Sequence, residues 1–256
     1  MIEVYLWEPV SHSARVLICL HEIGAKFESH YVDLLAFEQF SPEFLDMNPL
    51  GLVPVVRHHG AVLTESALIN EYLAESFPEA GLAPKDAFGW YETQIWSKYI
   101  DYNLSSSLST LGCRKYLVPE LQNEKSEELL ARIDAIPVIE RRAGWRLAAS
   151  GAYDEGIIGN SQRKVALVVA RMEQRLAAAD WLVGTSYSIA DIDTYAMVAS
   201  LQDLAPGLID REASPRTLGW LDRIAARPAV SAVLTQHSRR PGQPLFAPGP
   251  EHSRWG

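Results

Sequence analysis

A proline-centred turn at residues 48–56, with the sequence Asn-Pro-Leu-Gly-Leu-Val-Pro-Val-Val, constrains the fold of this 256-residue chain more than any other feature. Pro54 lies between two valines and has no backbone N–H, so Val53 and Pro54 cannot sit in an ordinary central strand. An X–Pro bond can be cis, and a cis bond would turn the chain sharply. We expect the backbone N–H and C=O of Val53 to face outward, where an extended peptide could pair with them as an added strand.

Glu65 and Ser66 follow about ten residues later, at the start of a helical pattern of apolar residues. Serine is favoured at a helix N-terminus, where unpaired backbone N–H groups attract a carboxylate. Glu65 beside it could hold an ammonium group. The turn and this pair together predict a site for a small peptide that carries both an amino group and a carboxylate.

Composition and charge argue against several classes of partner. Hydrophobic residues make up 48% of the chain and the formal net charge is −9, which disfavours nucleic acid and anionic membranes. Because no stretch approaches the roughly 18 apolar residues of a transmembrane helix, we expect no membrane span. Cys19 and Cys113 are the only cysteines, which indicates a reducing, cytoplasmic setting without a disulfide framework. We find no metal-ligand spacing among the histidines.

Strand and helix patterns alternate before residue 79. The predicted strands cover residues 3–6, 27–32, 55–57 and 61–63, and the predicted helices cover residues 15–23, 42–47 and 66–77. This order, βαβ, then α, then ββα, predicts a small thioredoxin-like α/β domain over residues 1–79. Pro78, Gly81 and Pro84 then mark a linker.

From residue 87 onward the strand pattern stops, which predicts an all-α domain over residues 87–240. Within it, residues 105–160 are interpreted as a long insertion, and residues 241–256 as an irregular tail. Ser188 and Asp191 form a capping-box pattern before a helix that is apolar on all sides and therefore predicted to be buried.

Two side-chain patterns in the helical domain are interpreted as structural. Aromatic and apolar residues recur at helical spacing from Trp90 to Ile100, which indicates core or a dimer interface. Arg141, Arg142 and Arg146 are interpreted as a solvated helix face.

The Asn-Pro-x-Gly turn, Val53–Pro54 and the later Glu65–Ser66 pair resemble the glutathione-binding half of the glutathione transferases. The resemblance extends over nearly the whole chain, from about residue 2 to residue 237. It implies the two-domain fold described above, glutathione as co-substrate and a homodimer. It also implies that Val53, before Pro54, pairs with the cysteinyl part of glutathione, and that Glu65 and Ser66 hold its γ-glutamyl end.

The same resemblance assigns two further contacts. Gln39 corresponds to a residue that contacts the glycyl carboxylate, and Asp101 to an acidic residue that approaches glutathione across the dimer interface. A solvated side chain is the alternative for each. Leu52 departs from the family, which often has a polar or basic side chain at this position.

Activation of the glutathione thiol is predicted at Ser11 or Ser13. The thiolate is the nucleophile, and a free thiol has a pKa of about 8.5. A hydroxyl that donates to the sulfur near a helix N-terminus favours the anion. Ser11 has the spacing to Arg15 that serine-type transferases show, and Ser13 is the alternative donor; either serine could instead be a helix N-cap. His12 is interpreted as part of the pocket wall or surface, not as a base.

Within the family, the insertion resembles that of the bacterial β-etherases, which cleave aryl ethers of lignin fragments. The segment with Pro137, Arg142 and Trp145 is similar to theirs. This resemblance implies that the thiolate displaces a phenolate from a small hydrophobic aromatic substrate and forms a glutathione thioether. Two alternatives stay open: a general detoxifying transferase, isomerase or dehalogenase with the same glutathione site, and a non-catalytic transferase-like interaction module.

Overall fold

A four-stranded sheet forms the centre of the first domain. The structure is a computed structural model that describes residues 1–122, 126–235 and 239. The strands are β1 (Ile2–Leu6), β2 (Phe27–Tyr31), β3 (Val55–His58) and β4 (Ala61–Leu63). Their order is β2-β1-β3-β4; β1 pairs parallel with β2 and antiparallel with β3, and β3 pairs antiparallel with β4. This mixed sheet with its helices is the α/β domain that the sequence predicts.

Three helices complete this domain: α1 (Ser11–Glu22), α2 (Pro42–Met47) and α3 (Ser66–Ser76). Helix α1 begins four residues before the predicted start at Arg15. Its first turn is closed by the Ala14 N–H, which donates to the Val10 carbonyl at 2.9 Å. Residues 11–14, ahead of the predicted helix, therefore lie inside α1, and the sequence gives no capping signal for this start because the N-cap residue is Val10.

The described part of the second domain contains helices and no strand. Its helices are α4 (Ala87–Ile100), α5 (Ser106–Gly112), α6 (Val118–Leu121), α7 (Ser126–Asp134), α8 (Ile139–Ser150), α9 (Glu155–Leu176), α10 (Ile189–Val198), α11 (Leu201–Leu204), α12 (Pro215–Ala225) and α13 (Pro228–Leu234). Two π-helical segments, Asp101–Ser105 and Cys113–Leu117, join α4, α5 and α6 into one continuous path. Such wider turns re-aim side chains and are frequent at functional sites. Among the described residues, no helix combines the length and apolarity needed to cross a membrane.

Helix α10 lies at the centre of the second domain, as its apolar sequence predicts. Every residue of α10 is buried, and the predicted capping box of Ser188 and Asp191 is present. The Asp191 carboxylate accepts from the backbone N–H groups of Leu182 (3.1 Å) and Ser188 (3.2 Å) and from Trp220 Nε1 (2.9 Å). Burial raises the pKa of Asp191 to about 6, and these hydrogen bonds oppose the rise.

The predicted insertion forms a core of its own. Leu117, Leu129, Ile133 and Trp145 are buried together there, against Phe40 of the first domain. The length of the predicted insertion is taken up by four helices, α5 to α8, and by the second π-helical segment between α5 and α6.

The structure corrects the interpretation of the arginines in this insertion. Arg141 is buried, and its Nε donates to the Leu50 carbonyl at 3.3 Å, so it does not belong to a solvated face. Arg142 Nε donates to the Ile136 carbonyl at 2.9 Å. Only Arg146 behaves as predicted: it is exposed and pairs with Asp134.

The aromatic and apolar residues predicted from Trp90 to Ile100 lie on two different faces of α4. Trp96 and Ile100 are buried in the main core, whereas Tyr91 and Ile95 are exposed. Each pair is four residues apart and therefore shares one face of the helix. Helical spacing identifies such a shared face, but it does not tell which face is buried.

Candidate active site

A cavity of about 570 Å³ lies where the two domains meet. This volume is within the range of small-molecule sites, roughly 300–1,000 Å³. Its walls come from the α/β domain on one side and from α4 and the first π-helical segment on the other. The first wall includes His12, Asn48, Leu52, Val53, Pro54, Glu65, Ser66, Ala67, Leu68 and Glu71, and the second includes Gln94, Ser97, Lys98, Asp101, Tyr102 and Ser105.

The turn before β3 forms one edge of the cavity. The Val53–Pro54 bond is cis, the isomer that the sequence analysis allowed for. Asn48 holds the preceding loop: its Nδ2 donates to the Leu52 carbonyl at 2.9 Å, and its Oδ1 accepts from the Leu50 N–H at 3.1 Å. Gly51 has a φ of +61°, and a Cβ there would lie 2.5 Å from the Phe40 ring, so this position requires glycine.

The N-terminus of α3 forms the adjacent edge. Glu65 precedes the helix with a φ of 68°, in the left-handed region, and its carbonyl accepts from the Ile69 N–H at 2.9 Å. Ser66 is the first helical residue. Its Oγ lies 3.0 Å from His12 Nδ1 and accepts from Arg15 Nη1 at 3.3 Å. The start of α3 is thereby tied to the start of α1.

Arg15 lies beneath this wall and is completely buried. Its Nη2 donates to Asp101 at 2.7 Å, and its Nε donates to the Asp193 carbonyl at 2.9 Å. Burial acts to lower the pKa of Arg15, but Asp101 and Asp193 together raise it above its ordinary value. The guanidinium therefore stays charged and connects α1, α3, α10 and the first π-helical segment.

Asp193 is a second buried ionisable group in this network. Its Oδ1 accepts from Asn70 Nδ2 at 2.7 Å, and Asn70 Nδ2 also donates to the Arg15 carbonyl at 3.2 Å. Burial raises the pKa of Asp193 to about 7, while Arg15 and Asn70 oppose the rise. Neither Arg15, Asn70 nor Asp193 figured among the predicted site residues, although an aspartate inside an apolar helix is a sequence signal of a buried partner.

Five of the predicted site residues share the cavity wall: Val53, Pro54, Glu65, Ser66 and Asp101. They come from three parts of the chain, and the fold brings them together around one space.

The other three predicted residues do not line the cavity. Ser11 and Ser13 are fully buried, and within the described residues neither hydroxyl has a hydrogen-bond partner. Neither serine is the N-cap of α1, which is Val10. Gln39 is also buried, and its Nε2 donates to the Leu34 carbonyl at 3.2 Å. The roles of these three residues stay predictions, whereas His12 lines the cavity as the sequence interpretation expected.

Comparison with protein families and curated proteins gives consistent matches. Residues 2–75 match the family model of the glutathione S-transferase N-terminal domain, and residues 137–228 match that of the C-terminal domain. The chain is 36% identical over 248 residues to the protein LigF of a Sphingobium species, covering 93% of this chain and 95% of LigF. It is 26% identical over 230 residues to glutathione S-transferase F13 of Arabidopsis thaliana, covering 86% and 89%.

Solved structures show the same similarity. The beta-etherase LigF from Sphingobium superimposes with a TM-score of 0.84 at 37% identity, over 90% of this chain and 97% of that one. Glutathione transferase F7 from Populus trichocarpa gives a TM-score of 0.71 at 23% identity, over 91% and 97%. A Sulfitobacter glutathione transferase homologue with bound glutathione gives 0.65 at 20% identity, over 91% and 96%. The last two comparisons show a shared fold.

The raised pKa of Asp193 predicts that stability depends on pH. Between the ordinary 3.8 and about 7, folded Asp193 holds a proton that the unfolded chain releases. The contribution of this group to the free energy of unfolding therefore falls as pH rises through that window, by at most about 1.4 kcal/mol per pH unit. Asp193→Asn keeps an oxygen that can accept from Asn70 but cannot ionise, so it should remove this dependence.

Urea unfolding of the wild type and Asp193→Asn at about pH 4.5 and about pH 7.5 measures the effect. The stability of the variant relative to the wild type should rise by a few kcal/mol at the higher pH. A difference that does not change with pH would contradict a raised pKa for Asp193.

Proposed function

The chain belongs to the glutathione S-transferase family, and we propose that within this family it acts as a β-etherase. Glutathione is its co-substrate. The observation that carries the proposal is the similarity to the beta-etherase LigF, which extends over 93% of the chain at 36% identity. The structural match to LigF, with a TM-score of 0.84, also exceeds the matches to the plant transferases, at about 0.7. A general detoxifying transferase is therefore the less favoured alternative.

The proposed reaction is a nucleophilic substitution. The glutathione thiol loses its proton to solvent, and the sulfur attacks the carbon that bears the aryl-ether oxygen. The carbon–oxygen bond breaks, its electron pair leaves with the phenolate, and a carbon–sulfur bond forms. Holding both reactants in one cavity can lower the barrier by about 7–11 kcal/mol in favourable cases.

The cavity has surfaces suited to both reactants. We place the γ-glutamyl end of glutathione at Glu65 and Ser66, where the carboxylate meets the N-terminus of α3 and the ammonium meets Glu65. The cysteinyl part pairs with the backbone of Val53. Leu68 and Tyr102, which are exposed at the cavity, offer apolar surface to a small aromatic substrate.

Turnover of a model β-aryl ether tests the proposal. The purified chain should release the phenol and form the glutathione thioether in equal amounts, and only when glutathione is present. The same assay with an activated aryl halide separates the alternatives. Turnover of the halide without the ether would indicate a general transferase, and glutathione binding without turnover of either would indicate an interaction module.

Glu65 should contribute to glutathione binding without supporting the fold. Glu65→Gln removes the charge that faces the ammonium, and a hydrogen bond to a charged group is worth about 1.5–3 kcal/mol. We expect affinity by calorimetry to fall about 10- to 100-fold. Glu75→Gln, at an exposed position on α3, is the matched control and should bind glutathione normally. Equal affinity of the two variants would remove Glu65 from the proposed site.

The exposed apolar side chains of α4 support a homodimer. Phe88, Tyr91 and Ile95 are all exposed on this helix, and the rings of Phe88 and Tyr91 stack on each other. Exposed apolar surface of this kind marks interaction sites. We expect sedimentation at micromolar concentration to give twice the monomer mass, and Tyr91→Glu to shift it towards the monomer. Leu130→Glu, an exposed leucine of α7, is the control, and a monomeric wild type would contradict the proposal.

A further inference from the structure

We propose that His12 donates a hydrogen bond from its Nε2–H to the glutathione sulfur and so stabilises the thiolate. The inference rests on the proposed binding of glutathione in this cavity, and it assigns the thiol to the residue between the two serines that the sequence predicted for that role. Four observations carry it: the place of His12 on the cavity wall, the burial of the serines, the partners of Nδ1, and the buried, hydrogen-bonded position of Arg15 among those partners.

His12 has the position that a sulfur partner needs. It is the second residue of α1 and lines the same cavity as Val53, whose backbone is proposed to pair with the cysteinyl part. The residues on either side, Ser11 and Ser13, are fully buried and do not line the cavity. Of the three polar side chains at the start of α1, the histidine is therefore the one that a ligand can reach.

The partners of Nδ1 determine which ring nitrogen carries the proton. Arg15 Nη1 lies 3.3 Å from His12 Nδ1, and a guanidinium can only donate hydrogen bonds. Ser66 Oγ accepts from the same Nη1, so its own hydrogen is available to Nδ1 at 3.0 Å. Nδ1 is therefore an acceptor without a proton, and the neutral imidazole carries its one proton on Nε2.

The same partners hold the ring in place before glutathione binds. Arg15 is fully buried and anchored by Asp101 at 2.7 Å and by the Asp193 carbonyl at 2.9 Å. A donor fixed in advance stabilises developing charge without the cost of reorienting it during the reaction. The N-terminal end of α1 adds a favourable partial positive charge for an anion at this place.

This arrangement makes His12 a donor and not a base. Its Nε2 already carries a proton, and its Nδ1 already accepts from Ser66 and Arg15, so the thiol proton leaves to solvent. The sulfur keeps the electron pair, and the Nε2–H shares its proton with the thiolate without transferring it. The electron pair then forms the carbon–sulfur bond as the phenolate leaves.

Titration of the bound thiol tests the inference directly, using glutathione alone and the ultraviolet absorbance of its thiolate. His12→Ala and His12→Phe both remove the donor, and the second keeps a ring of similar size. Each should raise the pKa of bound glutathione towards the free value of about 8.5. Turnover at neutral pH should fall about 10²- to 10³-fold, and the loss should shrink as pH rises.

His12→Gln is the rescue variant, because its side-chain amide can place an N–H near the position of Nε2. We expect it to recover part of the lowered thiol pKa. His59→Asn, at an exposed histidine in the β3–β4 turn, is the matched control and should titrate like the wild type. Thermal unfolding shows whether each variant is folded, and calorimetry shows whether it binds glutathione.

Ser11→Ala and Ser13→Ala are measured in the same series. If either serine variant shifts the thiol titration and His12→Ala does not, a serine stabilises the thiolate and the inference is wrong. The titration requires no ether substrate. If the wild type cleaves no ether but His12→Ala still shifts the thiol titration, the proposed function is wrong and the role of His12 is supported.

Discussion

The burial of one permanent charge, the guanidinium of Arg15, is the constraint on which the site depends. A buried charge is strongly destabilising unless it is paired and its hydrogen-bonding groups are satisfied. Its partners are Asp101, Ser66, His12 and the Asp193 carbonyl, which lie in both domains. Satisfying this charge therefore sets how α1, α3, α10 and the first π-helical segment meet, and with them the two walls of the cavity.

The same contacts explain why the cavity is organised before any ligand binds. Ser66, which is proposed to hold a carboxylate, and His12, which is proposed to meet the sulfur, share one buried donor. The π-helical turn brings Asp101 to that donor while Tyr102 and Ser105 of the same segment line the cavity. The groups proposed to recognise glutathione and the groups that join the domains are thus parts of a single hydrogen-bonded network.

Local chemistry made much of this predictable from the sequence. The cis bond before Pro54, the capping box at Ser188 and the start of α3 each follow from a few neighbouring residues. The early start of α1 was missed because Val10 gives no capping signal, and the burial of Arg141 was missed because a tertiary contact decides it. The contact between Arg15 and Asp193 joins residues 178 positions apart, and no periodicity signals such a pair. Charged residues inside apolar helices were the available clue.

The two walls of the cavity differ in how they relate to the family. Val53, Glu65 and Ser66 lie in the segment that matches the N-terminal family model, residues 2–75. The facing residues 94–105 lie between the two matched segments, which resume at residue 137. The insertion also contacts the first domain directly, because Arg132 and Arg141 donate to the carbonyls of Leu35 and Leu50. The acceptor surface proposed above takes Leu68 from the first wall and Tyr102 from the second, so the wall that matches the family model serves glutathione and also contributes to the acceptor side.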